Sequence, residues 1–347
     1  MTSLDTLGAP VPTPEAPTWR DRVERAWQHP LFVVTCALIL LIVVFAIVNG
    51  QPFLSAANVR NMFLAGSIML VLAVGVTYVI ITAGFDLSVG SVLVFSGVVS
   101  MIVMQRVGGD GWTTALLGLG VAIASGLLLG WINGLLVAYA DLNPIIVTLG
   151  MFGAALGLAQ VFTGGQDLSG MPTAMSQFGV GRLLGIPWVV LVAAIVAIIA
   201  AIALQATAFG RHTYAIGSNK EAAVRAGIPV KRHLAVIYGL SGLLAGLAGW
   251  LSLSVYGTTN ISGHSLDALT AATAAILGGA SLFGGVGTIA GTALGNAIPV
   301  VLASGLVIAG LQSFWQQVVT GAVLVGALYL DRLRRLRSLR RSSSASS

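Results

Sequence analysis

The chain has 347 residues, of which 56% are hydrophobic and 8% charged, with 44 glycines and a formal net charge of +6. Its mean hydropathy of +0.95 excludes a soluble enzyme; such a balance describes an all-α polytopic membrane protein, where glycine is commoner than in soluble helices. The positive charge does not indicate nucleic acid, because the basic residues flank apolar runs in a few clusters and no groove-reading motif accompanies them.

Residues 1–29 carry Pro10, Pro12, Pro14 and Pro17 and then a basic amphipathic piece, Thr18 to Gln28. They read as a flexible tail followed by an interfacial helix. The segment 30–330 forms the membrane domain, with ten predicted spans, each near the roughly 20 residues that cross the hydrocarbon. The first five are Leu31 to Val48, Met62 to Ala83, Leu87 to Met104, Trp112 to Tyr139 and Pro144 to Phe162. The others are Ile186 to Ala206, Leu234 to Val255, Leu266 to Leu277, Ile289 to Ile308 and Phe314 to Leu330. The fourth is overlong and the eighth short. Leu31 to Val48 is too long for a signal-peptide core and lacks a small-residue cleavage site, so it is expected to stay as a span. Cys36 is alone inside it, which excludes an internal disulfide and reads as a small core residue.

Between the second and third spans stands Asp86, a carboxylate at bilayer depth that costs several kcal/mol on insertion scales. Two roles fit it: capping a helix that starts at Leu87, with Ser88 helping, or facing a transport pathway. Asn133, Asn143 and Thr148 are further gate or pathway candidates, with Tyr139, Gln160 and Trp250 behind them; each could equally make an interhelical contact. Glycines at four-residue spacing mark close helix packing: Gly126, Gly130 and Gly134; Gly242 and Gly246; Gly287, Gly291 and Gly295. Gly84, Leu87 and Gly90 form a G-x-x-L-x-x-G that recurs at Gly279, Leu282 and Gly285, a weak internal repeat of the kind transporters use for gates. Gly279 and Ser281 join the gate candidates on that ground.

Thr207 to His233 is the one sizeable polar island, holding five of the seventeen basic residues. Ser218 and Glu221 make an S-x-x-E capping box, and Gly227 and Pro229 supply the stop. The implied helix, Asn219 to Ala226, has Glu221 placed to pair with Arg225 and a small face at Ala222, Ala223 and Ala226. Such a short helix must pack on something, either a partner or the membrane domain itself. Beyond the last span, residues 331–347 form a basic, serine-rich tail that also suits anionic membrane lipid.

Charge supplies an independent check on topology, since cytoplasmic loops are enriched in Lys and Arg. With ten spans and the N-terminus inside, fourteen of the seventeen basic residues face the cytoplasm, leaving Arg60, Arg106 and Arg182 outside. Both termini and the polar island then share the cytoplasmic side of the cell membrane.

Glu221, Ala222, Ala223 and Gly227 match the E-A-A-x-x-x-G core of the loop by which permeases of ATP-binding cassette (ABC) importers dock their ATPases. The wider run Gly210, Tyr214, Gly217, Ser218, Asn219 and Glu221 onward resembles the ribose-type sugar permease family. Further strings of that pattern are G-F-D-L-S-V-G-S from Gly84, N-G-L-L-V-A from Asn133, N-P-I-I-V-T-L-G from Asn143, F-G-V-G-R-L-L-G-I-P from Phe178 and L-G-G-A-S-L-F-G-G-V-G-T from Leu277. Phe85 departs from the isoleucine usual there. The resemblance implies an importer permease fold of the ribose/cobalamin type and a permease homodimer or heterodimer. It also implies two partner ATPases that carry the ATP and Mg, and an extracytoplasmic sugar-binding protein delivering to the outer segment Gly164 to Gly185. No cofactor is expected on this chain.

What is missing agrees. Lys220 and Lys231, the only lysines, follow Asn219 and Val230, so no Gly-Lys of a P-loop is present. From Ala235 to Leu330 the only acidic residue is Asp267, too few for an ion-coupled relay. The reading is a permease moving a monosaccharide or related polyol; the rivals are a branched-chain amino acid permease, an ATP-independent channel and a non-transporting scaffold.

Overall fold

The computed structural model describes residues 30–312, apart from residue 265, and separate positions between 315 and 329. The predicted tails at 1–29 and 331–347 lie outside the described residues, as does much of the tenth span, Phe314 to Leu330.

In chain order the first helices are α1 (Pro30–Asn49), α2 (Gln51–Leu54), α3 (Ala56–Ile81), α4 (Val89–Val107), α5 (Trp112–Ala138) and α6 (Pro144–Thr163). Next come α7 (Thr173–Val180), an antiparallel hairpin of β1 (Arg182–Leu183) and β2 (Ile186–Pro187), and α8 (Trp188–Ala206). The chain continues through α9 (Ala208–Ser218), α10 (Lys220–Arg225), α11 (Val230–Tyr256), α12 (Asp267–Leu277) and α13 (Ile289–Ile308). In hydrocarbon a backbone must satisfy its own hydrogen bonds, which selects helices. Among the described residues eight are long and apolar enough to cross a membrane: α1, α3, α4, α5, α6, α8, α11 and α13. The predicted eighth span corresponds to α12, whose 11 residues are too few to cross alone. Local chemistry sets several ends: the Ser55 side chain accepts from Asn58 at the start of α3, Asn143 with Pro144 opens α6, and Gly164 and Gly257 close α6 and α11 in the left-handed region.

The core is built on α3 and α11. In each, 78% of the spanning window is buried, against 11% for α1, 17% for α8 and 22% for α6, so the latter three form the rim. The close approach of α5 to α11 requires glycine. A methyl group at Gly126 would strike the Gly242 carbonyl, one at Gly130 the Tyr238 carbonyl, and one at Gly246 the Ala122 carbonyl. Gly291 and Gly295 likewise let α13 approach Gly278 and Ala274. Gly287 does not belong to that helical row, contrary to its spacing; it sits in the preceding loop with φ of 155°.

The molecule has two ends. Ile81, the last residue of α3, abuts Gly217 of α9, and its carbonyl accepts from the Gly285 amide at 2.8 Å in the loop 278–288. At this end lie α9, α10, the start of α11 and the start of α13. The far end carries the starts of α3 and α12 and the ends of α11 and α13.

Candidate functional site

The break between α3 and α4 gathers most of the polar candidates. Helix α4 begins at Val89, not Leu87, with Ser88 as the cap residue. Asp86 therefore does not cap the helix amides. Instead its Oδ1 accepts from the Ser88 amide at 3.0 Å and from the Ser88 hydroxyl at 2.6 Å. Its Oδ2 accepts from Ser241 Oγ of α11 at 2.8 Å, and Asn133 of α5 donates through Nδ2 to Ser88 Oγ at 2.9 Å. Above this knot Tyr238 donates to the Phe85 carbonyl at 3.3 Å, and Thr148 Oγ1 of α6 lies 3.4 Å from the same oxygen. Asp86, Ser88, Asn133, Thr148 and Ser241 are all buried. A carboxylate with three donors is stabilised against the desolvation that burial costs, and the arrangement ties α4, α5 and α11 together at one level. Asn133 Oδ1 is a buried acceptor with no partner among the described residues.

The remaining gate candidates lie elsewhere. Asn143 is exposed and accepts from the Ile145 amide as the cap of α6. Gly279, with φ of 96°, and Ser281, whose hydroxyl accepts from the Phe283 amide at 3.3 Å, shape the loop between α12 and α13. Trp250 is buried and donates to the Ala115 carbonyl at 3.1 Å, while Tyr139 and Gln160 lie on exposed faces. The repeat at Gly84 and Gly279 is partial: Gly90 is helical, whereas Gly285 has φ of 75°.

At the α9 end the polar island folds as two short helices. Ser218 is not a cap: it ends α9, and Asn219 takes that role, its Oδ1 accepting from the Ala222 amide at 2.9 Å. Helix α10 is thus Lys220–Arg225, shorter than expected. Its stop is a Schellman pair, with the Gly227 amide donating to Val224 and the Ile228 amide to Ala223, at a Gly227 φ of 79°. Glu221 and Arg225 approach to 3.8 Å on the exposed side. The small face splits: Ala222 and Ala226 are exposed, but Ala223 is buried with Ala138, Ile216, Val230, Leu234 and Ala235 of its own chain.

Helix α9 presses backbone to backbone on the membrane domain. Gly210 has no room for a side chain beside the Leu204 carbonyl, nor Gly217 beside the Ile81 carbonyl, and Ser218 lies against Gly285. Tyr214 donates to the Gly287 carbonyl at 2.7 Å, and burial raises its phenol above the usual tyrosine range, keeping it a donor. Three of the coupling candidates, Tyr214, Gly217 and Ser218, therefore meet α3 or the loop 278–288 with little side-chain slack, while Gly210 meets the end of α8.

At the far end a cavity of about 870 Å³ opens between α3, α11, α12 and α13. Its polar lining includes Asn58, Arg60, Asn61, Tyr256, Asp267 and Ser304. Towards the α9 end the walls close, as Asn296 of α13 donates to the Gly66 carbonyl and the Thr77 and Thr292 hydroxyls share a bond, both at 2.8 Å. Of the expected receiving segment, Gly164 to Gly185, Asp167 is tied inward to the Ile261 amide at 2.9 Å, while Arg182 is exposed and Leu184 projects with 96% exposure.

A family model described as the permease component of the branched-chain amino acid transport system matches residues 58–328. The chain belongs to this permease family. A probable ABC transporter permease of Sinorhizobium fredii is 37% identical over 341 residues, covering 97% of this chain and 98% of the relative. The D-allose transport system permease of Escherichia coli is 35% identical and the ribose import permease of Bacillus subtilis 39%, each covering 85% of this chain and 90% of its own. No solved structure matches. As a member of this family the chain is a multi-pass membrane permease, a transport component and not an enzyme.

Within the permease, sequence reasoning missed Ser241 and Tyr238, which complete the Asp86 knot, and it noted Arg60 only as a topology charge. A serine or tyrosine inside a glycine-rich span carries no local sign of a partner on another helix.

Proposed function

We propose that this permease is the membrane subunit of an ABC importer for a monosaccharide or related polyol, working as a dimer with two ATPases and an extracytoplasmic binding protein. The observation that carries it is the set of relatives named for ribose, allose and fructose import, at 34–39% identity over at least 85% of this chain. The branched-chain amino acid reading has only the family description behind it.

In this reading ATP and Mg reside on the partner ATPases, and α9 and α10 are their docking element on the cytoplasmic side. Glu221, Ala222 and Ala226 face the partner, whereas Ala223 anchors α10 to the permease. A displacement of α10 passes through Gly217 to the end of α3 and through Tyr214 to the loop 278–288. Those contacts are backbone contacts or a single short hydrogen bond, so little motion is absorbed on the way.

Reconstitution in proteoliposomes tests the proposal. Uptake of labelled D-ribose, D-allose or D-fructose is expected to need both ATP and a sugar-binding protein. Uptake of L-leucine in their place, or uptake down a gradient without ATP, would overturn it.

A further inference from the structure

We infer that the far-end cavity is a weak monosaccharide subsite, in which Tyr256 covers one face of the sugar ring while Arg60, Asn61 and Asp267 take its hydroxyls. The inference rests on the sugar-import reading and adds the residues that meet the cargo.

The cavity, about 870 Å³, falls within the roughly 300–1,000 Å³ of small-molecule sites, with room for a pyranose and part of its water shell. Its lining has the two halves a sugar needs. Tyr256 is 52% exposed at the mouth, a flat apolar surface with a polar tip. The same lining carries donors and acceptors on separate elements. Arg60 of α3 is half-buried, and none of the ion pairs among the described residues involves it. Its guanidinium offers donors in a fixed fork. Asp267 is an acceptor held in place: its Oδ2 meets His264 Nδ1 at 2.6 Å, and His264 Nε2 lies 3.3 Å from Ser252 Oγ.

The pattern suits a neutral polyol better than a charged solute. Each hydroxyl of a vicinal diol both donates and accepts, so it matches a lining that offers both a guanidinium and a carboxylate. A lone cation meets Arg60 and a lone anion meets Asp267, each repelled by one side. A zwitterionic amino acid could set its carboxylate on Arg60 and its ammonium on Asp267, so L-leucine is the competitor that the test must include. Weakness is part of the function: a pathway site must hold its cargo long enough to accept it and loosely enough to pass it on. The constriction at Asn296 and Thr77 beneath the cavity fits an outward-open waiting position.

The test uses the permease with its ATPases in nanodiscs, without binding protein, and saturation-transfer NMR with D-ribose, D-allose, D-fructose and L-leucine. The sugar that the reconstituted importer takes up is expected to give saturable transfer at millimolar concentration. Tyr256→Leu and Arg60→Gln should each weaken it about tenfold, and the exposed-site variant Asn61→Ala about fivefold, while Tyr256→Phe keeps most of it. ATPase stimulation by the loaded binding protein should persist in all four, showing that they fold and dock. An importer that takes up a sugar but shows no saturable transfer overturns the subsite, as do variants that bind like the parent. Binding and uptake of L-leucine instead would overturn the sugar-import reading itself.

Discussion

Asp86 shows how a buried carboxyl group can be held by hydrogen-bond donors, with no ion pair to it among the described residues. Three donors reach it, from the Ser88 amide, the Ser88 hydroxyl and Ser241. Asp86→Asn keeps an acceptor for Ser88 and presents an amide to a hydroxyl that can rotate to accept, so the variant is expected to fold. Asp86→Leu strands the three donors at about 1–3 kcal/mol each and should fail to accumulate or melt far lower in detergent-resolved size-exclusion assays. Equal losses in both variants would contradict this account. The carboxylate, Ser88 and Asn133 were legible because each is polar in an apolar run. Ser241 was not, because its meaning depends on Asp86, 155 residues away. Asn143 was legible as polar, and its cap role with it, since Asn before Pro is chemistry suited to opening a helix.

At the scale of the element, α10 is a six-residue helix with one face spoken for. Ala222→Trp places bulk on the exposed side and is expected to abolish coupling of ATPase activity to transport while leaving the melting temperature near that of the parent. Ala223→Trp overpacks the permease itself, costing about 1–3 kcal/mol or more, and should lower the melting temperature. Measuring both quantities for both variants separates docking from anchoring; a Tm loss in Ala222→Trp alone would reverse the assignment. The sequence disclosed the short helix, its glycine stop and the Glu221 to Arg225 pair, since these depend on neighbours within four residues. It misplaced the cap by one residue because Ser218 and Asn219 are both good caps locally. The choice between them falls to α9, which carries Ser218 against Gly285 of a distant loop.

For the whole molecule, apolar runs displayed nearly every crossing, and the shortness of α12 with them. They did not display which helices are central. The rim helix α1 is the most apolar of the crossing helices, yet its spanning window is only 11% buried, whereas the less apolar, glycine- and serine-rich α11 is 78% buried. Hydropathy reports compatibility with lipid, and close packing of helix on helix needs small residues instead. Orientation can be tested directly. In a Cys36→Ala background, Leu184→Cys is expected to react with a membrane-impermeant maleimide on intact cells, and Glu221→Cys only after permeabilisation. Between the two positions the chain passes once through α8; the opposite labelling would invert the proposed topology.

The seam between α5 and α11 also governs how the protein is made. Helix α5 and the Asp86 segment leave the ribosome long before Ser241, Gly242 and Gly246 exist. At about 5–20 residues per second, the 155 residues from Asp86 to Ser241 take on the order of ten seconds. During that interval a carboxylate and a stripe of bare backbone stand in the bilayer without the surface that will cover them. Chains released before α11 is complete are therefore natural targets for membrane quality control, and insertion factors have their main task in that window.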